Sequence, residues 1–378
     1  MRRLLPCLLA LLMVAAMSST GCRRSTEAPV VEDEPERAAS VAEEVTPARI
    51  DAPVASRPAV PARPAVPPGT QDMLTVAATV ARQGDPQALA VAAMLRDAAL
   101  SGAGPAGSET PAPANRMDDT VRAWLDEAER RAPDDLIGLL FAVYLERHDE
   151  SRRQALIARW RRLEPRNLAP VLHATLPEPV LFEQAQTTDV FDSHYDDMLR
   201  TIVLRLSRAS SDAQSRLFAA QPGIPRAEQE MAMAIALWSA VAQPAFQRVA
   251  ASCRAQAMAG LRRGQCRWVA QVLMERSDIL VAESVGADMA ARLAATPAEG
   301  ARAIAHRREG EWLTARLGDA YRDDERGFVV RYRQVLFAVP QITERAMMRR
   351  LVAEAGYPPT PPPGWDRRQE VRRSDAGP

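Results

Sequence analysis

The chain has 378 residues, of which 47% are apolar, 25% charged and only 5% aromatic. Its 48 basic residues balance 48 acidic ones, which excludes a polybasic nucleic-acid binder whose affinity rests on excess positive charge. Every basic residue is Arg, so Lys chemistry is excluded too: no Walker-type phosphate loop, no Schiff base, no Ser–Lys dyad.

The first segment, residues 1–21, has Arg2 and Arg3 ahead of an apolar run from Leu4 to Met17. Those 14 residues fall short of the roughly 20 needed to span a bilayer and suit a secretory leader. Ser18, Ser19, Thr20 and Gly21 follow, and then Cys22. The run Ser19-Thr20-Gly21-Cys22 resembles the lipobox of bacterial lipoproteins, with Ser19 standing where Leu is commonest. The resemblance implies cleavage before Cys22, diacylglycerol on its sulfur and acylation of its amine. Several acyl chains are what a durable anchor requires, since one chain binds a membrane only marginally. An ordinary leader cut nearby, with Cys22 incidental, is the alternative. Arg23 stands where the family's inner-membrane retention signal places Asp, which implies the outer membrane, facing the periplasm. Cleavage leaves 46 basic and 48 acidic residues, so lipid rather than charge would hold the protein to its membrane.

Residues 22–70 read as a tether. Nine prolines and no aromatic residue lie between Arg23 and Thr70, and Val54–Gly69 repeats a Pro-Ala-Val theme. Such a stretch buries too little apolar area to offset the entropy of ordering. Extended as polyproline II it would reach roughly 150 Å. Residues 357–378, with Pro358-Pro359-Thr360-Pro361-Pro362-Pro363, read as a second disordered segment.

Residues 71–356 predict an all-α body of about fourteen helices, because periodic apolar positions recur and strand-like alternation does not. Asp85-Pro86 and Thr296-Pro297-Ala298-Glu299 mark helix starts, and Ser151-Arg152-Arg153-Gln154 and Ser211-Asp212-Ala213-Gln214 read as further capping boxes. Val121, Trp124, Leu125 and Ala128 form one apolar stripe. Ile279, Ala282, Gly286, Met289 and Leu293 form another, whose small residues let a neighbouring helix come close. Ser101 to Arg116 reads as a loop. The sequence around Pro133 recurs near Pro165, 32 residues on, with Ile137, Leu140, Phe141 and Tyr144 between. This resembles a tetratricopeptide hairpin over Asp118–Ala174, although Phe141, Arg153 and Trp160 depart from the motif. It implies stacked antiparallel helix pairs, with an irregular bundle as the alternative. One division separates a repeat-like part, 71–187, from a part with two cysteines, 188–356.

Those cysteines, Cys253 and Cys266, are expected to form a disulfide in an oxidising compartment. The bond requires the first of the two helices to end near Ala255, or the chain between them to bend back, because the α-carbons must approach to about 5.5 Å.

The densest polar cluster runs from Thr187 to Asp197. Within it Asp189, Asp192, His194 and Asp196 could ligate a divalent ion or do acid–base work. The competing reading makes Asp192 or Ser193 a helix cap, with Asp196 and Asp197 at the positive end of the helix dipole. His306 reads as part of a solvated charged turn, His148 sits at a helix end, and His173 stands alone on an apolar helix. No nucleophile elbow, H-E-x-x-H pair or glycine-rich phosphate loop is present. The expectation is therefore a non-enzymatic envelope lipoprotein, without cofactor, whose body binds a protein partner and no nucleic acid. The alternatives are an envelope enzyme or metal protein centred on His194, and an immunity lipoprotein that blocks a toxin.

Overall fold

A computed structural model describes residues 68–101, 117–209, 212–219, 224–239, 244, 246–254, 260–367 and 369–370. The leader, Cys22, the tether before Pro68, Ser211, most of the 101–116 loop and residues 371–378 lie outside the described residues. Sixteen helices are described, and the only strand-like pairings among these residues are two isolated bridges. The body is all-α, as expected.

The first two helices, α1 (Pro68–Ala81) and α2 (Pro86–Ser101), pack on each other. Asp85 opens α2 by accepting from the Ala88 N–H at 3.0 Å. Every residue from Ala88 to Leu95 is buried, so α2 is covered on all sides. Its neighbours include α3 (Asp119–Arg131), α4 (Leu136–Leu145), α8 (Tyr195–Arg208) and α10 (Arg226–Ser239). Helix α3 is amphipathic: Asp118 caps it, Val121, Leu125 and Ala128 are buried, and Trp124 is half-buried.

The interval between Pro133 and Pro165 holds one helical hairpin, α4 and α5 (Glu150–Leu163). Leu139 to Leu145 are all buried, so α4 is enclosed along its last two turns. The cap of α5 is Asp149, which accepts from Arg152 N–H; Ser151, read from sequence as the cap, is already helical. Two short helices, α6 (Ala169–His173) and α7 (Glu178–Ala185), lead to α8, and α9 (Asp212–Ala219) packs on α1.

Beyond α10, helix α11 (Phe246–Ser252) precedes α12 (Leu261–Glu275) and α13 (Leu280–Leu293). Cys253 and Cys266 are joined, with α-carbons 5.7 Å apart. This geometry is reached because α11 stops at Ser252 and α12 starts after Gly260, whose φ is 61°. Helices α12 and α13 pack closely at Gly286, where an added Cβ would lie 2.4 Å from Met274 N. The stripe of Ile279, Ala282, Gly286, Met289 and Leu293 is buried as read.

The long helix α14 (Pro297–Asp323) packs on α13; α15 (Glu325–Ala338) and α16 (Glu344–Glu354) complete the body. Thr296 caps α14 with Pro297 at its start. Glu299 reaches back to Ala295 N–H at 2.8 Å, a capping box displaced by one residue.

The reading of residues from Tyr357 onward as disordered is corrected where they are described. Trp312 Nε1 donates to Pro358 O and Arg308 to Pro362 O, both at 2.8 Å, and Trp365 packs edge-on to Trp312 at 5.2 Å. Two aromatic rings supply the apolar area that the prolines lack.

Candidate functional site

The polar cluster sits where the N-terminal and C-terminal helices meet. Val190 to Asp192 run as an extended strip held on both sides. Leu168 N–H donates to Val190 O at 2.7 Å, while Phe191 N–H reaches Arg276 O at 3.0 Å and Asp278 N–H returns to Phe191 O at 3.1 Å. Asn167 exchanges bonds with the Asp192 backbone at 2.8 and 3.0 Å. The Phe191 ring is fully buried. This strip clasps the turn after α5 to the turn between α12 and α13.

His194 follows in the left-handed conformation, φ 56° and ψ 31°, at the residue before α8. Its side chain is 10% exposed. Nε2 lies 3.0 and 2.9 Å from the two oxygens of Glu164. Nδ1 lies 3.7 Å from Asp192 and 3.8 Å from Asp197. Burial opposes charge on the ring, but the carboxylates of Asp197, Glu164 and Asp192 outweigh it and push His194 up to about 10. Burial would raise Glu164; the bond from His194 prevails, supported by Asn167 and Trp160, and holds it below the usual range. The pair is an imidazolium and a carboxylate at neutral pH.

The cap of α8 is neither Asp192 nor Ser193. Asp192 accepts from His194 N–H at 2.8 Å, and Ser193 turns away to Asp278, its N–H at 2.9 Å and its hydroxyl at 2.6 Å. Asp278 also lies 3.5 Å from Tyr195 N–H, so it faces the start of α8 from across the seam. Glu344, the first residue of α16, accepts from Leu280 N–H at 2.7 Å and does the same for α13. Asp196 is buried; Arg200 approaches only to 3.9 Å, and neither Asp196 oxygen has a hydrogen-bond partner among the described residues. Beside it the hydroxyls of Tyr195 and Tyr332 are 3.1 Å apart. Burial is the main cause that pushes Asp196, Asp278 and Glu344 each up to about 7.

Of the four proposed ligands, Asp192 and His194 come together. Asp189 instead pairs with Arg166, and Asp196 points into the interior. Among the described residues no group of three or more His, Cys, Asp or Glu is placed to hold a metal ion. Glu164, Asp278 and Glu344, which complete the cluster, lie 30 to 150 residues from His194 and carry no local signal that links them to it.

Two of the other histidines are equally committed, while His148 is exposed. His173 is packed against Tyr144 and Trp160, at 5.4 and 5.7 Å between ring centres, and burial pushes it down to about 3. His306 is not a solvated residue: its Nε2 is 3.0 Å from Glu283 and 2.8 Å from Arg345. Arg345 and Glu283 are buried and paired, and Glu309 stands 3.3 Å from Arg345. This second ion cluster ties α13, α14 and α16 together.

No family model, curated protein or solved structure matches the chain. No described helix is long and apolar enough to cross a membrane.

Proposed function

We propose that the chain is a lipid-anchored protein of the bacterial envelope, held by Cys22 and its Pro-rich tether, whose helical body is a non-enzymatic module for binding another protein. The observation that supports the non-enzymatic reading is the placement of His194, whose Nε2 faces both oxygens of Glu164 at 3.0 and 2.9 Å. A metal ligand needs a neutral ring with a free lone pair, and a general base needs a pKa near the working pH. An imidazolium bonded to Glu164 has neither. Its role is to tie the turn after α5 to the start of α8; Asp278 joins that start to the C-terminal helices, and Glu344 joins α13 to α16.

The depression between α3, α4 and α5, lined by Leu125, Ala128, Glu129, Leu139, Leu156 and Arg159, has a cavity volume of about 10 Å³, room for little more than one water molecule. That is below the roughly 300–1,000 Å³ of small-molecule sites. Arg159 and Glu129 are paired across it at 2.6 Å. A protein surface is the partner class that suits such shallow relief.

Two measurements test the reading. The intact mass of the mature N-terminus decides the anchor: acyl chains on Cys22 are expected, and a bare thiol or a retained leader refutes it. Photo-crosslinking in intact cells from position 204, an exposed Leu on α8, tests the body. A specific envelope protein should be captured; capture of lipoprotein-sorting factors alone refutes the module.

A further inference from the structure

The Pro-rich strap after α16 closes a cleft that is chemically suited to proline. Tyr357 and Trp365 roof a small apolar cluster of Leu280, Trp312, Leu313, Met348 and Val352, separate from the main core. The floor belongs to α14 and the wall to α16. Proline lacks an N–H, so a proline-rich chain can be held only through its carbonyls and its rings. The cleft offers that bonding: the Trp312 indole N–H and the Arg308 guanidinium each donate to a strap carbonyl. Arg316 stacks on the Trp312 ring at 4.6 Å. An aromatic groove with an indole donor is the recurrent means of recognising proline-rich segments.

The strap fills this cleft imperfectly. Pro358, Pro359, Pro362 and Pro363 are exposed, so their rings add little burial. Trp365 Nε1 is buried with no hydrogen-bond partner among the described residues, and its lost hydration opposes closure. A segment that presented prolines without a buried N–H would escape that cost.

The chain carries such a segment. Val54–Pro67 contains Pro58-Ala59-Val60-Pro61 and Pro64-Ala65-Val66-Pro67, the spacing of Pro358 to Pro361, and each unit follows an Arg. One acidic group, Asp323 on the last turn of α14, stands beside the cleft to receive Arg57 or Arg63; it accepts from the Tyr357 hydroxyl at 2.9 Å, whereas Asp319 is already paired with Arg316 and Arg322. We propose that the cleft between α14 and α16 is a recognition site for proline-rich chain, that its exchanging ligand is the protein's own segment Val54–Pro67, just ahead of α1, and that the C-terminal strap competes for the same place. Occupancy by that segment would draw the tether in against the body and free the strap.

Photo-crosslinking of the purified full chain, with benzoylphenylalanine at position 60, tests this. Mass spectrometry should place the adducts on α14 and α16. The yield should rise about 2- to 10-fold in Tyr357→Phe, which removes the strap's bond to Asp323, and in Trp365→Ala, the shift expected when one strap contact is removed. It should fall to background when Pro58, Pro61, Pro64 and Pro67 are replaced by Ala. Adducts scattered over the body, adducts indifferent to both strap variants, or adducts that survive loss of the four prolines each overturn the assignment. Circular dichroism checks that each variant is folded; if Trp365→Ala is not, Tyr357→Phe decides alone, because the hydroxyl it removes belongs to the strap and not to the cleft. Mixing chains of two isotopic masses then reads whether the segment comes from the same molecule or its neighbour, and either origin supports the site.

Discussion

Glu164 receives His194 Nε2 through both of its carboxylate oxygens, at 2.9 and 3.0 Å, and so links the turn after α5 to the start of α8. The pair is largely enclosed, with Glu164 25% exposed. Removing one partner of such a pair strands the other's charge. His194→Ala should cost about 2–3 kcal/mol, somewhat less than a fully buried pair. His194→Asn should cost less, because Asn tolerates the positive φ that His194 adopts. The urea midpoint, at unchanged m-value, checks both. Equal midpoints for Ala and wild type would mean that the pair is not a clasp.

The seam also predicts how stability depends on pH. Asp196, Asp278 and Glu344 are raised to about 7, chiefly by burial. Their contribution is full below the ordinary carboxylate range, near 4, and is lost as pH climbs through 7. His194, raised to about 10, contributes fully below the ordinary imidazole value of about 6.5 and loses that contribution as pH rises through 10. Asp118, Glu164 and Asp197 are lowered, so their stabilisation is lost as pH falls. The melting temperature should therefore peak at about pH 5 and decline steadily into the alkaline range. Asp196→Asn should flatten the decline between about pH 5 and 7 in scanning calorimetry. A melting temperature that climbs across neutrality contradicts the scheme.

Cys253 and Cys266 are 13 residues apart and both buried. In the chain-entropy model a loop of this size contributes about 3 kcal/mol. Cys253→Ser should lower the urea midpoint accordingly. Reductant should have little effect in native buffer and a full effect in the transition region, where the bond becomes accessible. A midpoint insensitive to reductant would show that the bond adds nothing.

Gly286→Ala should be among the costliest single-methyl additions. The new Cβ would meet backbone, Met274 N at 2.4 Å and Ala270 O at 2.8 Å, which no rotamer change relieves. Forcing α12 from α13 should cost about 2–3 kcal/mol by thermal or urea melting. By contrast Gly264→Ala, where nothing lies within 4 Å, should be neutral or slightly stabilising.

What could be read from the chain follows the range of the forces involved. Stripes such as Val121 to Ala128, and caps such as Asp85 and Thr296, are set by neighbours three or four residues away, and sequence shows them directly. Ser151 stands two residues past the observed cap, because Asp149 accepts from Arg152 N–H. The disulfide was readable from two cysteines, but the stop of α11 at Ser252 that permits it was not marked by any breaker nearby. His194 invited a chemical reading because its neighbours in sequence are acids. Its decisive partner, Glu164, comes from another helix pair, and no local pattern announces it. His306 read as solvated because Arg307, Arg308 and Glu309 surround it, yet the ring itself faces Glu283 and Arg345. In the strap, proline content masks the order that Tyr357 and Trp365 supply by packing on the cluster around Trp312.

The strip from Val190 to Asp192 finds half of its backbone partners on Arg276 and Asp278, and Ser193 is 85 residues from the carboxylate it binds. Loop closure on that scale makes assembly slow, since distant segments must be found before any reward is collected. A chain delivered from its N-terminus first would hold the helices before Phe191 in an unsealed state until Asp278 had arrived. The protein is thus built to complete itself late, and a truncation anywhere ahead of Arg276 should leave an adhesive, protease-sensitive fragment where a smaller working domain might have been hoped for.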